Sequence, residues 1–142
     1  MTNEYGFRSL VVWQRAQELA VAVVRAMKVV PRNSETLAMK SQLVRSAGSV
    51  SANIAEGYGR FYEQAYRNHL SIARGSLFET ENWLDLLVRS GYLSSEVAGP
   101  LFDSCHEVGR LLTQRMRALD SKSSRLKEES ANYDANFDPE EL

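Results

Sequence analysis

Asp103 and His106 stand three residues apart, a spacing at which a carboxylate and an imidazole on one helix can share a metal ion inside a helical bundle. A dinuclear centre needs that pair again on a facing helix. The other histidine, His69, has Tyr66 in the place of the acid, so no metal is expected. Cys105 precedes His106, but adjacent helical residues point about 100° apart, which rules against a thiol–imidazole pair. As the single cysteine it excludes an internal disulfide, and within an apolar stripe it reads as a small buried hydrophobe. Gly57-Tyr58-Gly59-Arg60 is too short for a phosphate-cradling loop and follows no strand. Ser76 and the other serines have no base and orienting acid near them in sequence. With no convergent nucleophile, acid or base legible, the expectation is a non-enzyme without a cofactor.

A second group of polar residues has a clear period. Gln42, Arg45, Ser49, Asn53, Glu56 and Arg60 recur at spacings of three, four and seven, which lays them along one face of a helix. Three readings are open: a solvated face, a hydrogen-bonded interface, or a surface on which Arg45 and Arg60 meet phosphates. Arg15, Arg25, Lys28 and Arg32 lie upstream and make the first half of the chain the more basic one. Gathered on one rim of an assembly, these six cations would sum into a field that a nucleic acid feels.

Four amphipathic segments must position these groups. Apolar residues at helical spacing predict helices over about 10–30, 35–56, 63–90 and 95–121. The expected core arcs are Trp13, Ala16, Ala20, Val23, Val24, Met27 and Val30 in the first helix, and Leu37, Leu43, Val44, Ala47, Val50 and Ile54 in the second. The third contributes Leu70, Ala73, Leu77, Leu84, Leu87 and Val88, and the fourth Leu101, Cys105, Val108, Leu112, Met116 and Leu119. Ser9 should cap the first helix and Asn33 or Ser34 the second. Gly57-Tyr58-Gly59 should end the second helix in a left-handed turn, and Gly99-Pro100 should delay or kink the start of the fourth. Small residues (Ala47, Gly48, Ser51 and Ala52 against Ala73, Gly75 and Ser76) should let the second and third helices approach closely. No segment alternates with a period of two, so the fold class is all-α. Four such helices with short connections hide their stripes most simply as an antiparallel up-down-up-down four-helix bundle.

Charge divides the chain. Residues 121–142 hold three basic and six acidic groups, and the other 120 residues hold 14 basic and 12 acidic. We therefore expect a bundle over 1–122 and a disordered acidic tail over 123–142. No apolar run approaches the roughly 20 residues of a membrane span, and no basic segment followed by an apolar one opens the chain. These features predict a cytoplasmic protein with no membrane contact.

The third helix has more apolar surface than one bundle core uses. Ile72, Trp83 and Leu86, with Ala65, lie away from the stripe that carries Leu77 and Leu84. A helix apolar over more than half its circumference is covered on two sides, and a lone four-helix bundle covers one. A homo-oligomer with Ile72, Trp83 and Leu86 in the contact is the expectation.

The segment Phe7-x-x-Leu10-x-x-Trp13-Gln14-x-Ala16 resembles the opening of four-helix bundle proteins encoded by intervening sequences of bacterial 23S rRNA genes, also labelled S23 ribosomal proteins. The resemblance continues through Gln42-Leu43-x-Arg45-x-Ala47-x-Ser49-x-x-x-Asn53-Ile54-Ala55-Glu56-Gly57-x-Gly59-Arg60 and Leu70-x-Ile72-Ala73-x-Gly75-Ser76-Leu77-x-Glu79 to Gly91-Tyr92-Leu93. It covers roughly residues 7–120, with Asn53, Glu56, Gly57, Gly59, Arg60, Gly75, Ser76 and Glu79 as its signature. It implies a homopentamer around a central channel and kinship with the basic accessory protein of diversity-generating retroelements, which binds a reverse transcriptase and nucleic acid. The function it implies here is a non-enzymatic scaffold that binds RNA or a nucleic-acid-handling protein. The alternative is a protein-interaction module that touches no nucleic acid.

Overall fold

The computed structural model describes residues 6–135, and the end of the expected tail, 136–142, lies outside them. Four α-helices follow a single 3₁₀ turn at Phe7–Ser9: α1 (Val11–Ala26), α2 (Ser34–Tyr58), α3 (Glu63–Arg89) and α4 (Ser95–Ala135). Each helix packs on two neighbours, and α1 against α4 closes the ring. The pairings Ser46–Thr80, Ser49–Ser76 and Asn53–His69 fall as one residue number rises and the other drops, so α2 and α3 are antiparallel. Arg67–Asp120 and Glu81–His106 show the same for α3 and α4. The expected antiparallel four-helix bundle is the observed fold.

Local chemistry explains the ends. Asn33 accepts from the backbone N–H groups of Glu35 and Thr36, while the Thr36 hydroxyl accepts from the Asn33 N–H, a reciprocal cap. Gly91 takes φ +82°, a left-handed turn that lets the N–H groups of Tyr92 and Leu93 return to the Leu87 carbonyl. Ser94 caps α4 through the Val97 N–H, and the helix starts at Ser95 with Pro100 inside it. The delayed start expected there is corrected, because the first turn closes before the proline's missing donor matters. Ser9 is not the cap of α1. Its hydroxyl turns back to the Gly6 carbonyl, and Leu10 holds the cap position. Nor does a left-handed glycine end α2, since Gly57 is helical and Gly59 has φ −76°. Helix α1 stops at Ala26, short of the expected Val30, and a tight turn still delivers Met27 and Val30 to the core.

The core is continuous from Val12, Leu19 and Val23 through Leu43, Val50 and Ile54 to Leu70, Leu77, Leu84 and Leu112. Val24, Leu37 and Val44 were expected inside and are exposed. Each sits at the margin of an apolar arc wider than the strip its neighbours cover. The buried hydroxyls are bonded: Thr80 donates to the Ser76 carbonyl and meets Ser46, and Ser46 reaches the Leu43 carbonyl. Among the described residues the Tyr66 hydroxyl is the buried polar atom without a partner. An orphaned buried hydroxyl costs about 1–3 kcal/mol, so Tyr66→Phe should raise stability by about 1 kcal/mol in urea unfolding.

Residues 123–135 correct the expected disorder, because α4 runs through them as helix. Arg67 and Asp120 make a two-bonded ion pair, and Lys122 meets Glu63, so α4 is held against the first turns of α3. Extending a helix already nucleated adds one bond per residue fixed, and Lys, Arg, Leu, Glu and Ala in this stretch are good helix formers. The hydrogen bond from Arg67 holds the Asp120 carboxyl below its ordinary range. A carboxylate so depressed keeps its ion pair until the pH falls through the lowered value. A carboxyl-carbon NMR titration should place the Asp120 midpoint below that of an ordinary aspartate, and Arg67→Gln should bring it back.

Candidate interaction surface on α2 and α3

The polar stripe of α2 faces α3 along the outside of the bundle. Ser49 meets Ser76 at 3.0 Å, and Asn53 donates to both the Ser49 carbonyl (2.8 Å) and the Ser49 hydroxyl (3.0 Å). His69 Nδ1 lies 3.2 Å from Asn53 Oδ1 and 4.0 Å from a Glu56 oxygen. Arg45 donates to Gln42 at 2.8 Å and to Glu79 at 3.3 Å, and the Trp83 indole N–H donates to the same Glu79 oxygen at 3.2 Å. Arg60 closes the row on Glu56 at 2.8 Å. Of the three readings open for this stripe, the structure shows a hydrogen-bonded seam within the chain. Charge-assisted bonds of this kind fix the register of two helices more than they add stability at an exposed site.

Gly57 makes the seam possible. It is buried, and a Cβ there would lie 2.5 Å from His69 Cβ and 3.1 Å from Tyr66 Cδ2. The close approach of α2 and α3 is thus at Gly57. Of the small residues expected to permit that approach, Ala47, Ser51 and Ala73 are buried and Ser76 meets Ser49, while at Gly48 and Gly75 a Cβ would meet nothing within 4 Å.

Beyond the seam lies the outer face of α3. Ala65, Ile72, Gly75, Glu79, Trp83 and Leu86 occupy it, opposite the buried Leu70 and Leu77. Ile72 is 53% exposed and Leu86 42%, while Trp83 is half-buried against the seam. A glycine in a helix interior costs roughly 0.5–1 kcal/mol relative to alanine, and nothing within the described chain needs Gly75.

The six cations singled out in the sequence do not converge. Arg15 is bound to Glu18 and Glu107, Arg45 to Glu79, and Arg60 to Glu56. Arg25 lies in the last turn of α1, and Lys28 and Arg32 just beyond it, at the far end of the bundle from Arg60. Cys105 is buried among core residues, and burial pushes its thiol up to about 12, well away from a reactive thiolate. Asp103 is exposed, and His106 turns to Glu81 at 3.1 Å. Periodicity missed His69, Thr80 and Ser46 as members of the seam. Ser46 and Thr80 are buried at core spacing, three residues beyond Leu43 and Leu77, and their polar character there was the available signal.

A family model described as 23S rRNA-intervening sequence protein matches residues 8–114. A crystal structure of a protein of unknown function from the S23 ribosomal protein family of Bacteroides thetaiotaomicron is 31% identical. It aligns over 75% of this chain and 98% of its own, with a TM-score of 0.70. No curated protein matches.

Proposed function

The chain belongs to the family of 23S rRNA-intervening sequence proteins, and from the outer face of α3 we propose that it is a non-enzymatic homo-oligomeric scaffold. Copies meet through Ile72, Trp83 and Leu86, in a ring of five as the family resemblance implies. The assembly binds RNA or a protein that handles nucleic acid. The observation that carries this reading is an apolar strip on α3 that the bundle leaves uncovered, with a glycine beside it that no contact of the chain requires. Large apolar side chains on a helix whose opposite face is already buried are a mark of a second partner.

Light scattering at micromolar concentration should return the mass of five chains, and the mass of a single chain would overturn the assembly. A shift of structured RNA at low ionic strength, weakening as salt rises, tests the ligand. The ion pairing of Arg15, Arg45 and Arg60 favours a second reading, a protein-interaction module without nucleic-acid contact. That reading requires no RNA shift together with a protein partner retained after nuclease treatment.

A further inference from the structure

A groove of about 390 Å³ runs between α3 and α4, on the opposite flank of α3 from the seam. Arg74 on α3 and Arg110 and Arg117 on α4 line it, and none of the three has an ion-pair partner among the described residues. Arg110 and Arg117 are seven residues apart, two turns along one face, or about 10.5 Å. The Arg74 guanidinium lies 4.6 Å from the centroid of the Phe78 ring, and Phe78 is 50% exposed. Thr113 adds a hydroxyl on the wall. Gly109 brings α4 so close that a Cβ there would stand 3.3 Å from Leu77, which keeps the groove shallow. One carboxylate, Glu81, lines the groove, and His106 engages it at 3.1 Å; Asp120, three residues beyond Arg117, lies outside the groove and is bound to Arg67 at 2.7 Å. The charge left over is positive.

Unpaired guanidinium groups beside an open aromatic ring form the elementary unit of single-strand recognition, in which cations follow the phosphates and a base stacks on the ring. We infer that this groove holds a single-stranded polynucleotide, with phosphodiester groups on Arg110 and Arg117 and a base stacked on Phe78 beside Arg74. The inference rests on the nucleic-acid reading above. It moves the contacts to a face that none of Arg15, Arg25, Lys28, Arg32, Arg45 and Arg60 occupies.

Fluorescence anisotropy of the full chain tests it, with a labelled oligouridylate of about 12 nucleotides and a duplex of equal length. The single strand should bind the tighter of the two. Arg110→Ala with Arg117→Ala should weaken binding and flatten the slope of log K against log salt by about 1.4, two phosphates at about 0.7 each. Phe78→Ala should cost about tenfold with the slope unchanged, and Phe78→Trp should retain affinity. All three positions lie on the surface, and circular dichroism checks that each variant is folded. Arg25→Ala with Arg32→Ala should bind as the parent does. Groove variants that bind normally while the Arg25/Arg32 variant fails would overturn the groove and leave the nucleic-acid reading intact. Tighter duplex binding, or equal competition by polyglutamate, would overturn it as well. No anisotropy change with either probe would remove both.

Discussion

Gly57→Ala is expected to destabilise the folded chain by about 2 kcal/mol, although alanine is the better helix former by about 1 kcal/mol. The added methyl would stand 2.5 Å from His69 Cβ, an atom tied directly to the backbone of α3. No rotamer change relieves that contact. The helices must separate by about 1 Å to restore an ordinary carbon–carbon distance. Overpacking of this kind costs typically about 1–3 kcal/mol. The separation also stretches the bond between His69 and Asn53, and loosens Tyr66 where it packs edge-on against Tyr58. Thermal unfolding should show a Tm lower by several degrees, since about 1 kcal/mol corresponds to a few degrees in a chain of this size.

Gly75→Ala is the informative contrast. Its Cβ would meet nothing within the chain, so the dilute, dissociated protein should gain roughly 0.5–1 kcal/mol from the helix interior. The same methyl lies on the outer face of α3, between Ile72 and Leu86. An assembly closed through that face should weaken as the single chain strengthens. Unfolding measured across protein concentration separates the two effects, because only the second depends on mass action.

The contrast between these glycines also marks where the sequence could be read and where it could not. Four helices follow from spacing alone, because Val23, Leu43, Leu77 and Leu112 recur with neighbours at three and four residues, although the arc expected for α1 left out the fully buried Leu19. The inner limit of each arc does not. Leu37 and Val44 continue the apolar arc of α2, yet α1 and α3 cover only its centre. Gly57 sits where a helix-ending glycine would sit, and its actual role depends on His69, twelve residues on in the chain and across the seam. The stripe from Gln42 to Arg60 was legible as a stripe, but its partner Glu79 lies 34 residues from Arg45. Composition marked 123–142 as a tail, because composition has no knowledge of a nucleated helix arriving at Lys122 with Glu63 beside it.

Ile72→Asp combined with Leu86→Asp should reduce the proposed assembly to single chains that remain fully helical. Both side chains are substantially exposed on the isolated bundle, so the folded chain loses little, within about 0.5 kcal/mol at each position. In a closed interface the two carboxylates would lose their water without gaining a cation, a penalty of several kcal/mol per ion. At about 1.4 kcal/mol per factor of ten, each contact should weaken by at least about a hundredfold. Leu37→Asp with Val44→Asp is the matched control. These residues are comparably exposed and apolar but lie on α2, toward its α1 side and away from the outer face of α3. Native mass spectrometry should then show single chains for the first pair and an unchanged assembly for the second. If the pair on α2 dissociates the assembly and the pair on α3 does not, the contact belongs to the α1–α2 groove, and Trp83 on its seam serves the chain's own helix register.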